Sequence, residues 1–141
     1  MSPPKFKPLP IGVQQACIQE RFPQFNYSRV NNSWTGKLKP TTSSPEYLVK
    51  VVYKPDNIPK VFVLKPKIHP DAPHIYKENG SLCLYYPPDG SWNGQKLIGN
   101  TIIPWTAEWL YYYEIWLVTR QWYGHEAPHG ISKNPNLSIE S

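Results

Sequence analysis

Seventeen prolines among 141 residues limit what this chain can fold into more than any other feature. Proline locks φ and lacks a backbone N–H, so it interrupts helices and is excluded from central strands. Pro23, Pro40, Pro45, Pro55, Pro59 and Pro66 cut the first half into short pieces. Such pieces suit brief strands joined by rigid turns.

The pattern between the prolines supplies the elements. Ile11 to Phe22 reads as a helix, with Val13, Ala16, Cys17, Ile18 and Phe22 completing one apolar side before Pro23 stops it. Ser33–Lys39, Glu46–Tyr53 and Pro59–Leu64 each read as a strand, and their close spacing predicts an antiparallel meander of three strands. Ile68 to Asn79 has no apolar period and reads as an ordered loop leading to Cys83. Thr101 to Tyr123 predicts a long aromatic helix, with Pro104 near its first turn, Glu108 near its start and Gly124 ending it. Trp105, Trp109, Tyr112, Trp116 and Leu117 form one broad side, widened by Leu110, Tyr113, Ile115 and Val118 and expected to pack on the sheet. The expected whole is one α+β domain over 1–141, with 1–9 and 130–141 as irregular tails.

Composition removes several classes. Six tryptophans and ten tyrosines are too aromatic for a disordered chain. Only Cys17 and Cys83 occur, which is no disulfide framework and points to a reducing compartment. No run is long enough to span a membrane, and the start from Met1 to Lys5 has no apolar signal region, so no membrane association and a cytoplasmic location are expected. The net charge of +5 comes from lysines that alternate along the strands, which is the pattern of a solvated sheet face. A nucleic-acid partner is not expected; an acidic protein surface fits as well. His69, His74 and Cys83 lack any metal-ligand spacing, so neither metal nor cofactor is expected.

Cys83 carries the chemistry. It lies in Gly80-Ser81-Leu82-Cys83-Leu84-Tyr85-Tyr86-Pro87-Pro88, between an Asn79-Gly80 turn and a Pro-Pro-Asp-Gly turn. A thiol on a short ordered segment between turns suits a nucleophile that carries an acyl group. The other reading open to it is a small buried hydrophobe. Cys17 has a packing role available on the first helix. Tyr85, Tyr86 and Trp92 either line a groove for an extended tail or simply pack.

The order of elements resembles the ubiquitin-conjugating (UBC) fold from about Trp34 to Tyr123, together with the preceding helix. Ser44-Pro45-Glu46 and Pro59-Lys60-Val61-Phe62 look like that family's second and third strands. His69-Pro70-Asp71 looks like its His-Pro-Asn motif. Asn79-Gly80-Ser81-Leu82-Cys83-Leu84 looks like its active-site segment. The chain departs from the eukaryotic pattern in three ways. Asp71 stands in place of the asparagine, the motif lies farther from the cysteine, and the family's last two helices have no counterpart. The segments 80–88, 103–110 and 126–129 are similar to stand-alone UBC-like proteins of short type II CBASS antiphage operons.

The resemblance implies a thioester on Cys83 with the C-terminal tail of a cGAS-like nucleotidyltransferase. It implies transfer of that tail to an acceptor amine on a protein or small molecule. Asp71 cannot donate a hydrogen bond when ionised. His74, His69 or backbone N–H groups around Asn79–Gly80 are therefore the available oxyanion donors, with His74 first by its place in the chain. His125 and His129 either reach the site or are solvated. Two rivals remain at this point: an inactive binding module, and a cysteine hydrolase of such conjugates using Cys83 with His74 or His129.

Overall fold

The computed structural model describes residues 7–54, 58–85 and 90–124. The expected arm before residue 7, the turn at 55–57, Tyr86 with Pro87 and Pro88, and the tail with His125 and His129 lie outside the described residues.

Helix α1 spans Ile11–Arg21. Phe22, which precedes Pro23, leaves helical geometry (φ −137°, ψ 68°), as a residue before proline is driven to do. The helix does not bury the face expected of it. Val13 is 44% exposed and Ala16 is exposed, whereas Gln14 and Ile18 are fully buried. Gln14 earns its place by bonding. Its Oε1 accepts the Ile98 N–H at 2.9 Å, and its Nε2 donates to the Lys96 carbonyl at 3.0 Å. These bonds seat α1 on a 3₁₀ turn at Ile98–Asn100. Cys17 packs there too: a Cβ added to Gly99 would lie 2.9 Å from its sulfur. The two cysteines are free thiols.

Four strands follow rather than three: β1 (Asn26–Ser28), β2 (Ser33–Leu38), β3 (Tyr47–Val52) and β4 (Lys60–Lys65). They pair antiparallel in chain order, as a meander does. β1 was hidden because Asn-Tyr-Ser is too short and polar to show an alternation. The register collects Trp34, Gly36 and Leu38 with Val49, Val51 and Tyr47, and then Val61 and Val63, on one face. Most of these side chains are buried. Gly36 is required there because a Cβ would meet the Phe25 ring at 2.6 Å. Lys37, Lys50 and Phe62 alternate onto the opposite face.

Helix α2 spans Ile102–Thr119. Its buried positions are Ile102, Ile103, Thr106, Trp109, Leu110, Tyr113 and Trp116. Trp109, Leu110, Tyr113 and Trp116 of the expected side are buried, but that side is narrower than expected: Tyr112 is half-buried, Leu117 is 39% exposed and Val118 is 85% exposed. A polar anchor helps select that face. Glu114 accepts from Ser44 Oγ at 2.8 Å and from Tyr47 Oη at 2.7 Å, tying the β2–β3 connection to the helix. Burial first, and then the Glu114 bond, hold the Tyr47 hydroxyl above its ordinary value. The helix ends at Arg120 in a left-handed conformation (φ 61°), not at Gly124. Gly124 is small for a different reason, since a Cβ would lie 2.6 Å from the Tyr112 ring. Trp92 is core: it is 6% exposed and stands edge-on to Tyr53.

Candidate active site

Cys83 sits on a short extended segment beside β4. Leu82 bridges Ile75 antiparallel, and its N–H donates to the Val61 carbonyl of β4 at 2.9 Å. The Cys83 N–H donates to the His74 carbonyl at 2.8 Å. Between these contacts the chain reverses. Tyr76 N–H donates to the Ser81 carbonyl at 2.9 Å, and the Tyr76 carbonyl accepts from Gly80 at 2.7 Å and from Asn79 at 3.3 Å. Asn79 Oδ1 accepts from both the N–H and the hydroxyl of Ser81, at 2.9 and 2.7 Å. Gly80 adopts φ +79°, a conformation in which glycine carries no Cβ penalty. The Asn-Gly-Ser run thus has a local physical purpose, which is to fold the hairpin that carries the cysteine.

Every backbone N–H from Asn79 to Cys83 is engaged in this network. The backbone donors expected around Asn79–Gly80 are therefore already occupied by the turn.

Cys83 is half-buried rather than sealed in the core. Its sulfur lies 3.6 Å from Tyr76 Oη and 3.7 Å from the Tyr85 carbonyl oxygen. Burial first, and then the bond to Cys83, hold the Tyr76 hydroxyl above its ordinary value. Tyr76 was missed in the sequence because nothing about one tyrosine in a loop distinguishes it. Only the hairpin brings it back to the thiol. A cavity of about 300 Å³ lies alongside, walled by Tyr76, Leu82, Leu84 and Tyr85 among others, and Cys83 itself does not line it.

The other expected residues are placed less directly. His74 meets Cys83 through its main chain. Its backbone is left-handed (φ 58°), and its ring lies 5.0 Å from that of Trp122. His69 Nδ1 accepts the Asp71 N–H at 3.0 Å, its own N–H donates to Tyr113 Oη at 2.8 Å, and its ring stands edge-on to Trp116. Among the described residues, the hydrogen bonds of His69 and Asp71 run to each other's loop and to α2, not to Cys83. His69 and Asp71 shape the turn that leaves β4.

Among the described residues, no group of three His, Cys, Asp or Glu side chains is placed to hold a metal ion. No described helix is long and apolar enough to cross a membrane. No curated protein matches the chain. The family model described as type II CBASS E2 protein matches residues 14–130. That span takes in most of α1, all four strands, the cysteine hairpin and α2, and the chain belongs to the type II CBASS E2 protein family.

Proposed function

We propose that this protein is an acyl carrier of the ubiquitin-conjugating kind, working in antiphage defence. Cys83 accepts the carboxyl end of a cGAS-like nucleotidyltransferase as a thioester and passes it to an amine. The observation that carries this reading is a half-buried thiol on a segment fixed by main-chain bonds on both sides. Membership of a CBASS E2 family supports the choice of partner.

A free carboxylate does not react with a thiol unaided. The incoming carboxyl therefore arrives activated, as an acyl adenylate or as a thioester on another protein. The Cys83 thiol gives up its proton to solvent, the sulfur bonds to the acyl carbon, and the activating group departs with its electron pair. An amine then attacks that carbon, the C–S bond breaks, its electrons return to sulfur, and the extra proton on nitrogen leaves to solvent. Thioesters react readily with amines, so no Cys-His-Asp triad is required.

In this reading His74 acts through its carbonyl, which orients Cys83 by accepting its N–H. His69 and Asp71 hold the approach loop on α2.

The test is mass spectrometry of the protein co-expressed with the nucleotidyltransferase of its operon. The native thiol is expected to give an adduct cleaved by reductant, and Cys83→Ser an oxyester that resists it. Cys83→Ala is expected to give none. Binding retained by Cys83→Ala, with no adduct in any form, would make the protein a binding module instead.

A further inference from the structure

Charge that develops on the Cys83 sulfur has to be met by a donor, and the turn that leads into the cysteine has spent its own. The N–H groups of residues 79–83 are all engaged elsewhere. Among the described residues, one side-chain hydroxyl reaches the sulfur, that of Tyr76 at 3.6 Å. We propose that Tyr76 is a catalytic residue that hydrogen-bonds the Cys83 thiolate, both when the sulfur attacks and when it leaves. This rests on the reading of Cys83 as the reacting group.

The placement is built by the hairpin. The Tyr76 N–H and carbonyl both take part in closing the turn, so its backbone is fixed relative to Cys83. Its ring is a wall of the neighbouring cavity, which leaves the hydroxyl to meet the sulfur. While the sulfur is a thiol, S–H donates to the phenol oxygen. Once it is ionised the direction reverses, because the thiolate has no proton to give.

That reversal requires a phenol that keeps its own proton. Burial and the Cys83 bond hold Tyr76 above its ordinary range, and the charges of Tyr85 and Glu78 act in the same direction. Tyr76 therefore keeps its proton throughout: it accepts from the thiol, donates to the thiolate, and transfers no proton. When the amine displaces the sulfur, the electron pair of the C–S bond returns to an atom already facing an O–H. A hydrogen bond to a charged acceptor is about twice as strong as a neutral one.

The experiment uses the full chain and needs no partner. Tyr76→Phe keeps the ring and removes only the hydroxyl. The rate of iodoacetamide alkylation is followed at the Cys83 peptide by mass spectrometry, which separates it from Cys17. Near neutral pH the variant is expected to react about threefold more slowly. Loss of the bond lowers the thiolate fraction roughly tenfold. The greater nucleophilicity of a more basic sulfur recovers part of that, with a Brønsted slope of about 0.4–0.5. In strongly alkaline solution, where both thiols are ionised, the variant should be at least as fast as the parent.

Equal rates near neutral pH would overturn the proposal. So would the same slowing at every pH, which is the mark of altered access. A fluorinated tyrosine at position 76 preserves the hydroxyl and the fold. Being a stronger donor, it should speed alkylation near neutral pH, and a slower rate would count against the proposal. If the native protein forms no adduct with its activated partner while these shifts appear, the transfer reading fails and the Tyr76–Cys83 bond stands.

Discussion

The sheet and the cysteine hairpin lie side by side and are held by different forces. In the sheet, side chains decide. Trp34, Val49, Val51 and Val61 lie on one face and are all but fully buried. Removing apolar area from water contributes roughly 25 cal/mol per Å², so these residues dominate the stability of that region. In the hairpin, main-chain bonds decide. Asn79, Gly80 and Lys77 are exposed, yet the backbone from 74 to 83 is closely tied. The lesson is that the region that carries Cys83 owes its shape to conformational preferences and amide pairing, and only secondarily to burial.

Substitutions at three positions test that contrast. The largest effect is expected from Trp34→Ala, which empties a fully buried site and loses the indole bond to Gln15. A loss of about 4 kcal/mol in unfolding free energy is expected by denaturant titration. A loss under about 1 kcal/mol would mean that the sheet face is not the main source of stability.

Gln14→Ala comes next. It leaves the Ile98 N–H and the Lys96 carbonyl without their side-chain partner, at an expected cost of about 2 kcal/mol. Gln14→Leu fills the volume without the bonds and should remain destabilised. If the leucine variant is as stable as the parent, α1 is seated by volume alone.

The smallest global effect should come from Gly80→Ala. An added Cβ meets nothing within 4 Å, so the penalty is the left-handed backbone alone, about 1 kcal/mol. The effect on Cys83 should be larger than that on the fold. Its alkylation rate should change while the denaturation midpoint moves far less than in Trp34→Ala. A change in stability as large as that of Trp34→Ala would erase the distinction between the two regions.

The same contrast explains what could be read from residue order. β2, β3 and β4 were legible to within a residue or two because period-two alternation reports burial directly. Cys83 and the turn before it were legible because Asn-Gly is a local signal. The buried face of α1 was not, since its central residue is a glutamine whose partners lie more than 80 positions away. The buried face of α2 was read too broadly for a related reason. With Tyr111, Tyr112 and Tyr113 consecutive, hydrophobicity alone does not choose a face, and Glu114 anchors the helix from an adjacent position. Tyr76 was invisible because a hydroxyl reaching across a turn leaves no periodic trace.

One consequence follows from the saturated amides around Cys83. Their ordering entropy is lost once, when the chain folds. In the proposed reading, an arriving acyl group would meet a sulfur whose main chain is already tied into the hairpin. Specificity in that reading would rest on how well the incoming tail conforms to a shape set at folding.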